Sequence, residues 1–215
     1  MKIILFSISL FAVISCKSQL QTKTLVQKDN VNTADTTFVN IKNYSTDFVL
    51  DMKYATTDNF LKTKVYDCEM CFLRYKTLQK LLAVNVVLAK KGIKIKFFDC
   101  YRPLDIQKKL WQLVPNPDYV ANPARGSMHN RGTAVDITLV DTKGTDFDMG
   151  TPFDFFGVEA SHSYQKLTDT QIANRIFLKT IMLENGFKPF DTEWWHYSLI
   201  DGASEKLANF KWTCD

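Results

Sequence analysis

Apolar and polar residues alternate in three stretches of the chain, and this pattern predicts three strands that each bury one face. The stretches are residues 48–54, 93–97 and 133–140. In the third stretch, Val135, Ile137 and Leu139 share one face, whereas Asp136 points to the opposite face. A lone carboxylate in that position indicates a cationic partner nearby.

Three other stretches are predicted to be helices. They are residues 73–90, 105–113 and 168–184. The first and third repeat their apolar residues at helical spacing, and the second is indicated by Pro103 at its start and by Pro115 and Pro117 after its end. Gly92 and Gly186 follow the first and third stretches, where glycine commonly ends a helix. Thr168 and Gln171 form a capping box that begins the third helix. Because the third helix is apolar around most of its circumference, we expect it to be the central buried helix. A last strand region follows at residues 187–199.

Strands and helices do not alternate regularly along the chain, so a doubly wound sheet is not expected. The predicted fold class is α+β, with a small, mostly antiparallel sheet flanked by helices. The 215 residues, of which 46% are hydrophobic, suffice for one core, and we assign a single domain to residues 38–215. Residues 115–133 and 141–164 show no sustained period and are predicted to be long loops, which in compact domains often carry function.

The N-terminus begins with a lysine at position 2, an apolar run over residues 3–14, and Ser15 before Cys16. This arrangement resembles a bacterial lipoprotein signal, which implies a signal peptide at residues 1–15, a lipid on Cys16 and export to a bacterial membrane. An ordinary secretory signal is the alternative. The run is too short to span a bilayer core of about 30 Å. The polar residues 16–37 are expected to form a flexible tether between the lipid anchor and the domain.

The charge pattern indicates that nucleic acid is not a partner. The formal net charge is +4, and loss of Lys2 with the signal would leave +3. The basic residues are scattered along the chain and form no stripe, unlike the basic surfaces that bind nucleic acid.

Four cysteines remain besides Cys16. They are Cys68, Cys71, Cys100 and Cys214. Export favours disulfides, and four cysteines allow three pairings. We expect the pairs Cys68–Cys71 and Cys100–Cys214. The alternative, in which Cys68 and Cys71 form half of a zinc site, lacks a second closely spaced pair of Cys or His residues.

Two clusters carry the residues most suited to chemistry. The first is S-M-H-N-R-G-T-A-V-D at 127–136, and the second is E-W-W-H at 193–196. His129, Asp136 and His196 together supply an N,N,O set, and catalytic zinc takes three protein ligands and leaves one position for water. Glu193 precedes His196 by three residues. These two side chains would oppose each other on a regular strand, so a strand here requires a bulge or bend.

Four motifs identify a family resemblance. S-x-H-x-x-G-x-A-x-D at 127–136 and E-W-W-H at 193–196 resemble the zinc D,D-peptidases that act on peptidoglycan. Y-R-P at 101–103 and M-G-T-x-F-D at 149–154 are similar to the D-alanyl-D-alanine dipeptidase branch of the type found in vancomycin resistance. The resemblance extends from about residue 38 to the C-terminus.

The resemblance implies a role for each matching residue. His129, Asp136 and His196 would hold one Zn²⁺ per chain. Glu193 would be the general base that takes a proton from the attacking water and returns it to the leaving amine. The remaining roles concern the substrate: Arg102 would stabilise the oxyanion, Asp154 would meet the free ammonium of the dipeptide, and Ser127 would line the substrate pocket.

His162 is the remaining histidine, and three ligands leave no metal role for it. His162 is therefore interpreted either as a residue that lines the pocket or supports a metal ligand, or as a loop residue with no role in the site. A surface ion pair is the simpler interpretation of Arg102, and a turn-stabilising carboxylate that of Asp154. Both residues, however, lie inside motifs that match the family.

The expected activity is zinc-dependent hydrolysis of D-alanyl-D-alanine to two D-alanines. One rival is a D,D-carboxypeptidase or endopeptidase that trims longer cell-wall peptides and therefore needs an open groove. The other rival is a zinc-stabilised module that binds wall peptides without cutting them. Such a module would not need Glu193 and Arg102, and both are present.

Overall fold

A computed structural model describes residues 33–117 and 119–214. The predicted signal peptide, Cys16 and most of the predicted tether lie outside these residues. The described residues form one hydrophobic core. None of the helices within them is long and apolar enough to cross a membrane.

The described chain contains seven strands and three α-helices. In chain order they are β1 (Phe38–Asn40), β2 (Val49–Leu50), β3 (Phe72–Arg74), α1 (Tyr75–Ala89), β4 (Ile93–Asp99), α2 (Leu104–Leu113), β5 (Ala134–Asp141), α3 (Asp169–Glu184), β6 (Phe187–Phe190) and β7 (Glu193–Leu199). The predicted strands at 93–97 and 133–140 and the three predicted helices are confirmed to within two residues at each end.

Five strands form the main sheet in the order β2-β4-β5-β7-β6. The pairs β4–β5, β5–β7 and β6–β7 are antiparallel, and only β2–β4 is parallel among these neighbours. β1 and β3 form a separate antiparallel pair. The predicted α+β class with a small, mostly antiparallel sheet is therefore confirmed.

The central strand β5 is buried on both faces. Every residue from Ala134 to Val140 is buried, and α1 covers the neighbouring strand β4 with a fully buried stripe that includes Leu78, Leu81 and Leu88. Asp136 therefore lies in the interior of the protein. A buried carboxylate requires compensation by charge or hydrogen bonds.

Two predictions about individual elements were wrong. Helix α3 is not the central buried helix, because it packs only one side against β6 and β7 and leaves Ile176 58% and Leu183 46% exposed. The predicted strand at 48–54 is reduced to β2. The chain leaves the sheet at Met52, whose N–H donates to the Glu69 carboxylate, and then forms a 3-10 turn at Lys53–Ala55.

The predicted disulfide pairing was also wrong. The bonds join Cys68 to Cys214 and Cys71 to Cys100. The Tyr101 N–H donates to the Phe72 carbonyl, so the two chain segments that carry Cys71 and Cys100 lie side by side in the core. Cys68 is only partly buried, and the C-terminal segment reaches it at the surface. The expected pairing fails because Cys71 lies beside Cys100 in the core, whereas Cys68 bonds to Cys214 nearer the surface.

Candidate metal centre

Three neighbouring strands place functional side chains in one row. Asp99 at the end of β4 lies opposite Asp136 on β5, and Asp136 lies opposite His196 on β7. The register of β4 shifts between Phe97 and Asp99, and this irregularity brings Asp99 into the row. Residues opposite each other on adjacent strands have Cβ atoms about 4.5–5.5 Å apart, so the row is set by strand pairing.

His129 joins the row from a 3-10 turn, His129–Arg131, that comes just before β5. Gly132 ends the turn with φ +70°, a conformation that side chains disfavour. A Cβ at Gly132 would also collide with the Phe38 ring. The glycine is therefore needed for the tight return from His129 into the strand that carries Asp136.

The three predicted ligands converge on one point. His129 Nε2 lies 3.2 Å from His196 Nδ1 and 3.3 Å from Asp136 Oδ2, and His196 Nδ1 lies 3.0 Å from Asp136 Oδ1. All three ligand atoms lie within 4.8 Å of one another. Burial opposes ionisation of Asp136, but His129 and His196 outweigh it and hold the pKa of the carboxyl well below its usual range.

The outer nitrogens of both histidines have fixed partners. His129 Nδ1 donates to the Cys100 carbonyl at 2.7 Å, which turns Nε2 toward the other ligands. His196 Nε2 lies 2.9 Å from Ser198 Oγ. Two histidine nitrogens and one aspartate oxygen, with both rings oriented by a second group, match the donor set of catalytic zinc. The residues present therefore fit this metal.

Glu193 is brought to the metal ligands by a bulge in β7. Pro189 pairs with Tyr197 but the next residue, Phe190, pairs with Glu193, so part of β7 has no partner on β6. This irregularity is the bend that the sequence spacing required. Glu193 Oε2 lies 4.0 Å from His196 Nδ1, and burial raises the pKa of Glu193 to about 7.

Arg102 is held by a buried network that the sequence did not reveal. Its Nε and Nη2 donate to Asp99 Oδ2 at 3.0 and 2.6 Å, and its Nη1 donates to Gln107 Oε1 at 3.0 Å. Tyr66 Oη donates to the other Asp99 oxygen at 2.7 Å. Asp99 is completely buried and Arg102 is 8% exposed. The only sequence signal for Asp99 was its place three residues before Arg102, just ahead of the Y-R-P motif.

Asp154 faces the cavity from the loop before α3. It has φ +56°, and its Oδ2 accepts a hydrogen bond from Tyr54 Oη at 2.9 Å. Burial, together with the negative charge of Asp136, raises the pKa of Asp154 well above its usual value. A cation beside this carboxylate would therefore be stabilised.

Ser127 lies at the start of the turn that carries His129. Its N–H donates to the side-chain oxygen of Asn130 at 2.7 Å, and its hydroxyl accepts from the Asn130 N–H at 3.2 Å. The hydroxyl oxygen is also 3.5 Å from Gln107 Oε1, the atom that accepts from Arg102. Ser127 thus connects the metal turn to the arginine network.

All seven residues that were predicted to bind the metal, act in catalysis or contact the substrate line one cavity of about 470 Å³. They are Arg102, Ser127, His129, Asp136, Asp154, Glu193 and His196. His162 does not line this cavity. Its ring lies 6.1 Å from that of Tyr197, and it lines a separate, smaller cavity. Of the alternatives for His162, a place in the wall of the substrate pocket is therefore excluded.

Three aromatic residues from three loops meet beside the metal cavity. Phe156 contacts Phe60 at a centroid distance of 4.9 Å and Tyr119 at 4.3 Å. Phe60 and Tyr119 line the cavity, and Phe156 lies two residues beyond Asp154. We call Phe60, Tyr119 and Phe156 the aromatic bridge. Two of its members thus line the same cavity as Asp154, and the third joins them.

Comparisons with known proteins agree on one family. Residues 34–212 match the model of the family described as D-ala-D-ala dipeptidase. The D-alanyl-D-alanine dipeptidase of Escherichia coli (strain K12) is 37% identical over 170 residues, which cover 78% of this chain and 87% of that protein. The D-alanyl-D-alanine dipeptidase of Enterococcus faecium is 32% identical over 173 residues, which cover 70% of this chain and 85% of that protein.

A solved structure of a vancomycin-resistance D,D-pentapeptidase, VanY, in complex with Zn(II) is a more distant match. The match covers 60% of this chain and 74% of the VanY chain, with 15% sequence identity and a TM-score of 0.38. The family match covers most of the chain and includes every residue of the metal cavity. The chain therefore belongs to the D-ala-D-ala dipeptidase family.

Proposed function

We propose that this protein is a zinc-dependent dipeptidase that hydrolyses D-alanyl-D-alanine to two D-alanines. The observation that carries the proposal is the single cavity into which the N,N,O ligand set, Glu193, Arg102 and Asp154 all open. The relatives that are named D-alanyl-D-alanine dipeptidases and cover most of this chain support the same substrate.

His129, Asp136 and His196 would hold the zinc ion. When bound there, zinc lowers the pKa of water toward about 7 and polarises a carbonyl group. Glu193 acts as the general base on the attacking water, and the same carboxyl then protonates the leaving amine. In the metal-free protein, burial raises the pKa of Glu193 to about 7, so this carboxyl takes up a proton more readily than an exposed glutamate does.

Arg102 and Asp154 orient two parts of the substrate, the scissile carbonyl and the free amino group. Arg102 uses three of its N–H groups on Asp99 and Gln107, and a guanidinium has five. Two N–H groups remain for the oxyanion that forms at the scissile carbonyl. Tyr54 engages one oxygen of Asp154, which leaves the other for the substrate ammonium. This pairing favours a peptide whose amino end is free.

A Glu193→Gln substitution tests the mechanism. The variant should still bind one equivalent of zinc, because the three ligands are unchanged, while turnover of D-alanyl-D-alanine should fall by about 10²–10⁴-fold. Glu184→Gln, which changes an exposed glutamate at the end of α3, is the matched control and should keep full turnover. Zinc content and D-alanine release would be measured on the same samples. Normal turnover by Glu193→Gln would remove Glu193 from the mechanism.

A second experiment tests the substrate. The role of Asp154 predicts that acetylating the amino group of D-alanyl-D-alanine lowers kcat/KM strongly, and that Asp154→Asn reduces this preference for the free amine. Equal or faster hydrolysis of a longer peptide with the same D,D-terminus would instead identify a D,D-carboxypeptidase or endopeptidase. Bound zinc without hydrolysis of either peptide would identify a binding module.

We propose further that the protein is exported and anchored to a bacterial membrane through a lipid on Cys16. The support is the signal pattern at residues 1–16. An anchored dipeptidase outside the cytoplasm would serve wall recycling or nutrient salvage. Cys16→Ser should move the protein from the membrane fraction to the soluble fraction. Deleting the protein should leave intact D-alanyl-D-alanine in the medium, and an unchanged medium would contradict the salvage role.

A further inference from the structure

Arg175 on α3 is a buried cation with no carboxylate partner. Its side chain is 5% exposed, and no Asp or Glu of the described residues lies within 4.0 Å of it. Nε donates to the Met149 carbonyl at 2.6 Å, and Nη1 donates to the carbonyls of Glu159 and Ser161 at 2.9 and 3.0 Å. Nη2 is buried and has no hydrogen-bond partner. The Trp194 ring lies 6.0 Å from the guanidinium carbon, and the charge of Asp148 acts on Arg175 from a longer distance. Buried charges normally have an opposite charge in direct contact, and Arg175 has none among the described residues.

A separate cavity of about 120 Å³ lies beside Arg175. Its polar wall includes His162 and Lys179, and its apolar wall includes Leu167, Ile172 and Ile176. Lys179 lies one helical turn beyond Arg175 on α3 and has no carboxylate within 4.0 Å in the described chain. No acidic residue lines this cavity among the residues described. The residues that line the cavity therefore carry a net positive charge, although Asp148 and Asp191 lie close enough to act on Arg175 and His162.

Two further polar atoms near Arg175 have no partner. His162 Nε2 and Tyr197 Oη are both buried without a hydrogen bond, and the two rings lie 6.1 Å apart. Each buried polar group left without a partner costs about 1–3 kcal/mol. Burial and the charges of Lys179 and Arg175 lower the pKa of His162 to about 4, so the ring is neutral at pH 7 and can donate one N–H. All of these groups are able to donate, and the missing partner is an acceptor.

We propose that the cavity beside Arg175 is a binding site for a small oxyanion, with Arg175, Lys179 and His162 as its ligands. Water in the cavity could complete the hydrogen bonds, but it would leave Arg175 without an anion in direct contact. The cavity volume limits the ligand to the size of phosphate or a short carboxylate. This class includes inorganic phosphate and the carboxylate of a small amino acid.

An anion at this site would affect, through Arg175, the loop that carries Asp154. The three carbonyls that Arg175 holds lie at both ends of the segment 149–161, and Asp154 lies within that segment. Fixing the guanidinium would therefore stabilise the segment that presents Asp154. The site itself does not depend on the proposed dipeptidase activity, because anion binding can be measured without substrate.

Thermal unfolding of the zinc-loaded protein, titrated with sodium phosphate or sodium acetate, tests the site. Sodium gluconate, whose anion is too large for the cavity, keeps the ionic strength constant. At ten times the dissociation constant, an anion that binds only the folded state should raise Tm by about 3–5 °C. Lys179→Met and His162→Phe should each weaken the anion about tenfold or more. Lys80→Met, which removes an exposed helical lysine that does not line the cavity, is the matched control.

Each outcome decides between the site and its alternatives. A response to phosphate alone assigns the site to inorganic oxyanions, and a response to acetate as well extends it to carboxylates such as the D-alanine product. No response of the wild-type protein to either anion would overturn the proposal. An equal response in the wild-type protein, Lys179→Met and His162→Phe would place binding elsewhere, for example at the metal, and would also overturn it.

Discussion

Replacing Asp99 by asparagine removes the charge that compensates Arg102 without changing the size of the side chain. Asp99 is completely buried and accepts four hydrogen bonds, two from Arg102, one from Tyr66 and one from the Cys100 N–H. The asparagine side chain would keep one carbonyl oxygen and place an NH₂ group against a donor. Asp99→Asn therefore leaves a buried guanidinium without a counter-charge.

The complete burial of Asp99 determines how much stability the Asp99→Asn variant should lose. Breaking a buried ion pair by removing one partner costs about 3–5 kcal/mol of unfolding free energy, because the remaining charge stays buried and unpaired. For a chain of this length that loss lowers Tm by about 6–20 °C. The kcat should also fall, since Arg102 loses the carboxylate that orients it. The fall should not exceed about 10²–10³-fold, which is the cost of losing the whole oxyanion donor.

Denaturant unfolding and steady-state kinetics of Asp99→Asn measure both effects. Tyr66→Phe is the matched control, because it removes one hydrogen bond to Asp99 at 2.7 Å but keeps the carboxylate charge. It should cost about 1.5–3 kcal/mol, the value of a hydrogen bond to a charged group, and leave kcat closer to that of the wild-type protein. If Asp99→Asn were no less stable than Tyr66→Phe and equally active, Asp99 would not be the counter-charge of Arg102.

Three further outcomes are expected. In chelator-treated protein, the pKa of Glu193 is raised from 4.5 to about 7. Between these two pH values the folded state binds more protons than the unfolded chain does. The folded state therefore loses up to about 3 kcal/mol of stability as the pH rises through this range. Glu193→Gln should therefore be more stable than the wild-type protein at pH 8 and equal to it at pH 4 in denaturant unfolding; a constant difference would contradict this. Peptide mapping without reduction should recover Cys68 linked to Cys214, and a peptide pairing Cys68 with any other cysteine would show the fold of the C-terminal segment to be wrong. Phe156→Ala opens the aromatic bridge, so it should raise kcat/KM for a longer D,D-peptide relative to the dipeptide, and an unchanged ratio would exclude the bridge as a limit on substrate length.

The metal ligands could be predicted from the sequence because their signals are local. Asp136 is a lone carboxylate on the face of its strand opposite the apolar residues, and His129 and His196 lie in motifs of fixed spacing. The spacing of Glu193 and His196 even required the bulge that β7 contains. Local patterns also sufficed for the helix ends, since Gly92 and Gly186 adopt positive φ where they were expected to end helices.

The features that could not be predicted depend on contacts between distant segments. The apolar pattern of α3 does not reveal that only one side of the helix meets the sheet. Spacing alone cannot pair four cysteines, because the pairs depend on which chains lie side by side in the core. Asp99 and Gln107 hold Arg102 through side chains whose meeting is decided by the end of β4 and by α2.

The C-terminal segment shows how such distant contacts reach the metal. The Ala208 N–H donates to the Asn130 carbonyl, and the Arg131 guanidinium donates to the Glu205 carbonyl, so this segment holds the turn that begins with His129. Phe210 stacks on Tyr101 at 4.4 Å, and the disulfide of Cys214 fixes the far end. A buried ligand turn of three residues has few contacts of its own, so its rigidity comes from the segment packed over it. Loosening the C-terminal segment should therefore weaken metal binding even though it contains no ligand.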